Sequence, residues 1–206
     1  MDSRGQRGAS LTARLPTLRR RVQGILVLLG AMWGVLLVNS LHYRFDLTSF
    51  GLTPRTSWGL LGILTMPLLH AQLGHLAANT APLMVLLTLL AASRARFWET
   101  LVEMLLLCGL LLWVFGRSTL HVGSDAVIYA LLAFLLLTGL VEKRNLSLLV
   151  SFAVGFLYGG MFLWGVIPGL SPKDSWDSNL AGAAAGVVLA FALTVDPRNR
   201  RPPLPQ

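Results

Sequence analysis

Three groups of polar side chains in this chain could do chemistry, and each stands at the head of an apolar run. The first is His70 to Asn79, His-Ala-Gln-Leu-Gly-His-Leu-Ala-Ala-Asn, with two imidazoles and a carboxamide. His75 and Asn79 are four apart and share one face of a helix. His70 lies about 140° away around such a helix, so it belongs to the entering loop, where it would brace the other two. The second group is Gly123-Ser124-Asp125, four residues before Tyr129, and the third is Trp176-Asp177-Ser178-Asn179, before Gly182. Imidazole and amide N–H groups can stabilise a developing negative charge, and hydroxyl and carboxylate groups can attack or move a proton. The plainer reading is a set of interfacial polar residues facing helix neighbours. Polar groups at membrane depth are costly and usually functional.

The surroundings are a membrane. Of 206 residues 54% are hydrophobic and 13% charged, with a mean hydropathy of +0.66, where a soluble domain carries about 25% charged residues. Cys108 is alone inside an apolar run, which excludes a disulfide framework or a cysteine zinc cluster. The net charge of +8 does not signal nucleic acid, because its distribution is that of a topology signal. Basic residues flank the apolar runs, with attraction to anionic headgroups as a by-product.

Six spans are predicted, at about 22–39, 74–92, 98–115, 123–141, 146–166 and 179–195, each long enough to cross. A basic, mobile tail precedes them (1–21) and a short basic, proline-rich tail follows (196–206), around a membrane domain at 22–195. Residues 42–57 are too charged to span. Residues 58–69, with Gly59, Gly62 and Pro67, are short for a span and read as re-entrant or interfacial. Glu103 lies about a turn inside the third span and needs a partner. It and Arg117 read as helix-end anchors or as a pair across a loop. Thirteen of the 17 lysines and arginines fall in the two tails and in the loops after spans two and four. Positive-inside sorting puts both termini in the cytoplasm, in a plasma or bacterial inner membrane. The three polar groups then share the external ends of spans two, four and six. Gly182 and Gly186 allow close helix approach, matched by Ala126, Ala130 and Ala133, so spans four and six should touch and bring Asp125 near Asn179.

These residues resemble the rhomboid intramembrane serine proteases across all six spans. His70, His75 and Asn79 match a His-x4-His-x3-Asn motif whose last two members help form the oxyanion hole. Tyr129 matches a tyrosine four positions after the nucleophile that stacks on the catalytic histidine. Asn179 to Gly182 occupies the place of a His-x-x-Gly motif. The resemblance implies an all-α, six-helix rhomboid-like bundle that admits transmembrane segments of other proteins laterally. No cofactor is implied, and the oligomeric state stays open.

The departures matter as much. Aligned on Gly123 and Tyr129, the nucleophile position holds Asp125, followed by Ala126 where the family has glycine. The general-base position holds Asn179. Asparagine cannot take a proton from a nucleophile. A buried, protonated Asp125 would instead bond Asn179 as a neutral pair. The expectation is a pseudoprotease that binds or holds client segments. The alternatives are an active serine endopeptidase using Ser124 with His121 or His75 as base, an aspartyl protease pairing Asp125 with Glu103 or Asp177, and a metal site from His70, His75, His121 and Asp125. A transporter is disfavoured by the absence of an inverted repeat.

Overall fold

A computed structural model describes residues 3–41, 46–167 and 176–195, with side chains from Leu15 onward. The expectations for the tail at 196–206, for Arg44, and for Lys173 and Asp174 lie outside these residues. Among the described residues the chain is helical, with one isolated backbone bridge and six helices long and apolar enough to cross a membrane. The crossing helices are α1 (Ser3–Leu41), α3 (Leu73–Ser93), α4 (Phe97–Phe115), α5 (Asp125–Glu142), α6 (Asn145–Val166) and α7 (Trp176–Val195). They match the six predicted spans, with one difference. The expected mobile N-terminal tail is helical from Ser3 and continuous with the first span. Its alanines, leucines and arginines are good helix formers, and the 39 residues of α1 run to about 58 Å, well beyond a hydrocarbon core of about 30 Å.

The segment before the second span is α2 (Ser57–Thr65), prolonged by a single 3-10 turn at Met66–Leu68. The Thr56 hydroxyl accepts from the Gly59 amide and starts it, while Pro67 falls in the closing turn. At twelve apolar residues it is about 18 Å long and does not cross. Gly62 lies against the Leu52 backbone and Gly109 of α4 against Ile63, which seats α2 on α4.

The core sits around α5, which is buried on most of its length, including Ala126, Ile128, Ala130, Leu131, Leu132 and Phe134. Its closest partner is α7. A Cβ on Gly182 would collide with the Ala126 carbonyl, and one on Gly186 with that of Ala130. Both contacts carry the same sequence offset, so the helices run parallel in register, as their small residues predict. Gly139 meets Ser151 and the Ser147 carbonyl of α6 in the same way.

Two arginines close helix ends by meeting last-turn carbonyls that lack intrahelical partners. The Arg21 guanidinium donates to the carbonyls of Ala91, Arg94 and Ala95 at the end of α3, at 2.7, 2.7 and 2.5 Å. That of Arg55 donates to Val114 and Gly116 at the end of α4, at 3.1 and 2.8 Å.

Replacing Gly182 with alanine should cost about 1–3 kcal/mol, because the obstacle is rigid backbone. Nothing lies within 4 Å of a Cβ on Gly159, so Gly159→Ala should hold or raise stability by up to about 1 kcal/mol. Thermal unfolding of both variants in detergent checks the contrast.

Candidate functional site

The N-termini of α3, α5 and α7 lie at one end of the bundle, and the three polar groups meet there. His70 is in the loop entering α3, as expected, and is 1% exposed. Its Nε2 is 3.5 Å from Asn79 Nδ2, and its ring stands edge-on to that of His75 with centroids 5.3 Å apart. Burial, and then the neighbouring His75 ring, push the His70 pKa down to about 4. The ring is therefore neutral at ordinary pH.

His75 reaches across to α5. Its Nε2 lies 2.8 Å from Asp125 Oδ2 and 3.2 Å from Asn79 Nδ2. Asp125 is the first residue of α5, where the helix dipole favours negative charge. The pair is about one-third exposed on each side. Gly123, with φ of +109°, makes the turn into α5, and a Cβ there would crowd both Asp125 Oδ2 and the His75 ring. Its amide donates to the Met66 carbonyl at 3.0 Å, tying the site to the end of α2.

Asn179 is buried on the first turns of α7, level with Gly123 by the α5–α7 register, but it does not bond Asp125. Its Nδ2 donates to the Gly165 carbonyl of α6 at 2.9 Å, and Oδ1 is buried without a partner. The expected Asp125–Asn179 pair is thus replaced by two separate bonds, one to α3 and one to α6. Gly165 stands in the last turn of α6, where carbonyls lack intrahelical donors, and Asp125 meets the His75 ring at 2.8 Å. The Tyr129 hydroxyl donates to the Met161 carbonyl at 2.8 Å, and its ring stacks on Phe162 at 5.8 Å. Gly182 adjoins the Ala126 carbonyl.

The residues named for the other readings go elsewhere. Ser124 is buried, and its Oγ has no hydrogen-bond partner. His121 Nε2 faces the Arg117 carbonyl at 3.2 Å, Thr119 Oγ1 at 3.3 Å and Asp177 at 3.6 Å. Asp177 takes two bonds from Arg117, from its amide at 2.9 Å and its guanidinium at 3.0 Å. Glu103 lies 3.6 Å from Arg96, so Glu103 and Arg117 each have a partner other than the other. Neither Glu103 nor Asp177 joins Asp125, and His121 does not join His75. The Arg117–Asp177–His121 cluster was missed in the sequence, although Asp177 at a helix start and a basic residue at the facing loop were its signal. A backbone bridge pairs Leu52 with His121 at 2.9 and 2.8 Å and holds that loop in place.

The fold and the site define a six-span helical membrane protein with a histidine–carboxylate–amide cluster at one end. A rhomboid-domain family model matches residues 57–195. The chain is also similar to an uncharacterized protein of Mycobacterium tuberculosis, at 37% identity over 188 residues that cover 86% of this chain and 77% of that one. An uncharacterized protein of Mycobacterium leprae is 35% identical over 204 residues, covering 89% and 76%. The chain belongs to the rhomboid family and is an integral membrane protein.

Because the native His70 ring resists protonation, the unfolded chain, with a histidine pKa near 6.5, binds more protons between pH 6.5 and about 4. This contribution to stability is therefore complete above that window and lost as pH falls through it. His70→Leu should flatten the decline, measured as unfolding midpoint against pH in detergent.

Proposed function

We propose that this rhomboid is a non-cleaving member that binds and holds transmembrane segments of other proteins. The observation that supports it most is the bonding of the two positions that the family resemblance gives to the nucleophile and the base. Asp125 Oδ2 is bonded to His75 Nε2 at 2.8 Å, and Asn179 donates to the Gly165 carbonyl at 2.9 Å. Covalent catalysis needs a nucleophile within reach of a group that takes its proton. Asparagine has no such group, and its amide is already engaged away from Asp125.

The carboxylate has a second effect. In the resemblance, His75 and Asn79 are the donors for an oxyanion. Here the oxygen already in front of His75 is the chain's own Asp125 Oδ2, at 2.8 Å. A peptide carbonyl entering the site would have to displace that contact. The site thus lacks a nucleophile–base pair, and its donor side is already occupied. No observation favours the Ser124 alternative, whose hydroxyl has no base beside it.

The orientation belongs to the same reading: both termini in the cytoplasm of a plasma or bacterial inner membrane, with the polar site at the external end. The support is the excess of lysine and arginine in the tails and in the loops after α3 and α5. A reporter fused after Gln206 should read out on the cytoplasmic side, and an external signal would reverse the orientation.

A serine-reactive fluorophosphonate probe tests the loss of catalysis on purified protein in detergent. The native chain should not label. A variant carrying Asp125→Ser, Ala126→Gly and Asn179→His should label, because the α5–α7 register sets the first turns of the two helices at one level. Native labelling that disappears in Ser124→Ala would overturn the non-cleaving reading.

A further inference from the structure

Resting on the holding function proposed above, the inference concerns what the site recognises. We propose that the external polar site binds a hydrogen-bond-donating, cationic side chain carried by a transmembrane client, with Asp125, Ser124 and Asn179 as its acceptors. The occupant is a single apolar helix with a lysine one turn inside its external end.

The unused hydrogen-bonding capacity nearest Asp125 includes buried oxygens that can accept. Asp125 is one-third exposed, and its one described hydrogen bond ends on Oδ2, leaving Oδ1 open in a group with about four acceptor positions. Asn179 is 3% exposed and its Oδ1 has no partner, while Ser124 is 2% exposed and its Oγ has none. Ser124 is adjacent to Asp125, and the α5–α7 register sets Asn179 beside Gly123, so the three share one layer of the bundle. A buried acceptor without a donor is destabilising, and an ammonium carries three donors.

The local cations do not fill this need. Arg117 is held by Asp177, and Arg55 caps α4. The only described ionic partner of Asp125 is His75. A lysine in the apolar part of a client span is itself costly unless paired. Client and site would therefore each supply what the other lacks in a medium that offers little water.

The test uses the full chain in vesicles of zwitterionic phosphatidylcholine, so that lipid charge does not contribute. Synthetic single-span peptides of leucine and alanine carry lysine, leucine or glutamate at the stated position, and binding is read by energy transfer to the labelled protein. The lysine peptide should bind about tenfold more tightly than the leucine peptide, a difference of about 1.4 kcal/mol, and the glutamate peptide should bind weakest. In Asp125→Asn the lysine preference should vanish while leucine-peptide binding persists, which also reports an intact fold. If that variant does not fold, Asn179→Leu should reduce the preference. Equal binding of the lysine and leucine peptides, or a preference unchanged in the folded variant, overturns the recognition proposal and leaves holding intact. Failure of every peptide to bind overturns both.

Discussion

The structure depends on the close approach of α5 and α7. In a bilayer, burying apolar side chains gives no solvent-driven reward, since lipid tails are as apolar as leucine, and helices associate through tight packing and interhelical hydrogen bonds. Gly182 and Gly186 remove the Cβ atoms that would strike the Ala126 and Ala130 carbonyls. Two such contacts at the same offset fix translation and rotation together. They set Asn179 level with the Gly123 turn, and with it the depth of every polar group at that end. The Gly139–Ser151 contact does the same between α5 and α6, where the Ser151 hydroxyl also donates to the Leu136 carbonyl at 2.7 Å.

The two ends of this scaffold solve the polar problem differently. At the end away from the site, Arg94 and Glu142 meet at 2.6 Å, the Ser147 hydroxyl donates to the second Glu142 oxygen at 2.6 Å, and the Arg94 guanidinium lies over the Phe134 ring. Both charged side chains are nearly buried and each has a partner, as low dielectric requires. With Arg21 on the end of α3, this joins α1, α3, α5 and α6. The site end leaves Ser124 Oγ, Asn179 Oδ1, His70 Nδ1 and His121 Nδ1 buried without partners. Toward the opposite end Arg94 Nε and Glu103 Oε2 are also buried without partners, but there a lysine- or arginine-type cation faces each carboxylate, whereas at the site the described ionic partner of Asp125 is His75.

That contrast also marks what the sequence could disclose. The six spans were legible because length and hydropathy are local properties, and the α5–α7 contact was legible because glycines four apart announce a smooth helix face. The helical continuation of α1 to Ser3 was not, because arginine density reads equally as tail and as helix former. Pairing at the site was only half legible. The common level of the α5 and α7 starts followed from the helix contact, but the partners of Asp125 and Asn179 did not. Gly165 bonds through a backbone carbonyl, which no residue type advertises, and His75 is fifty residues from Asp125 in sequence. The Arg117–Asp177–His121 cluster joins a loop to the first turn of α7, where pairing follows from the fold rather than from periodicity.

A serine and a histidine in this place would have to face each other, because a proton must pass between them. Aspartate and asparagine carry no such obligation, and here they face apart. Asp125 turns to α3, where it meets the His75 ring at 2.8 Å, and Asn179 turns to α6, where a last-turn carbonyl lacks an intrahelical donor. Each new bond lies between a pair of helices other than α5 and α7, so neither disturbs the glycine seam. On the reading proposed above, the chemistry could therefore be lost without loosening the bundle. On the same reading the polarity at this end changes as well: beside the donors that the resemblance gives to an oxyanion stand a carboxyl group and two buried oxygens without partners.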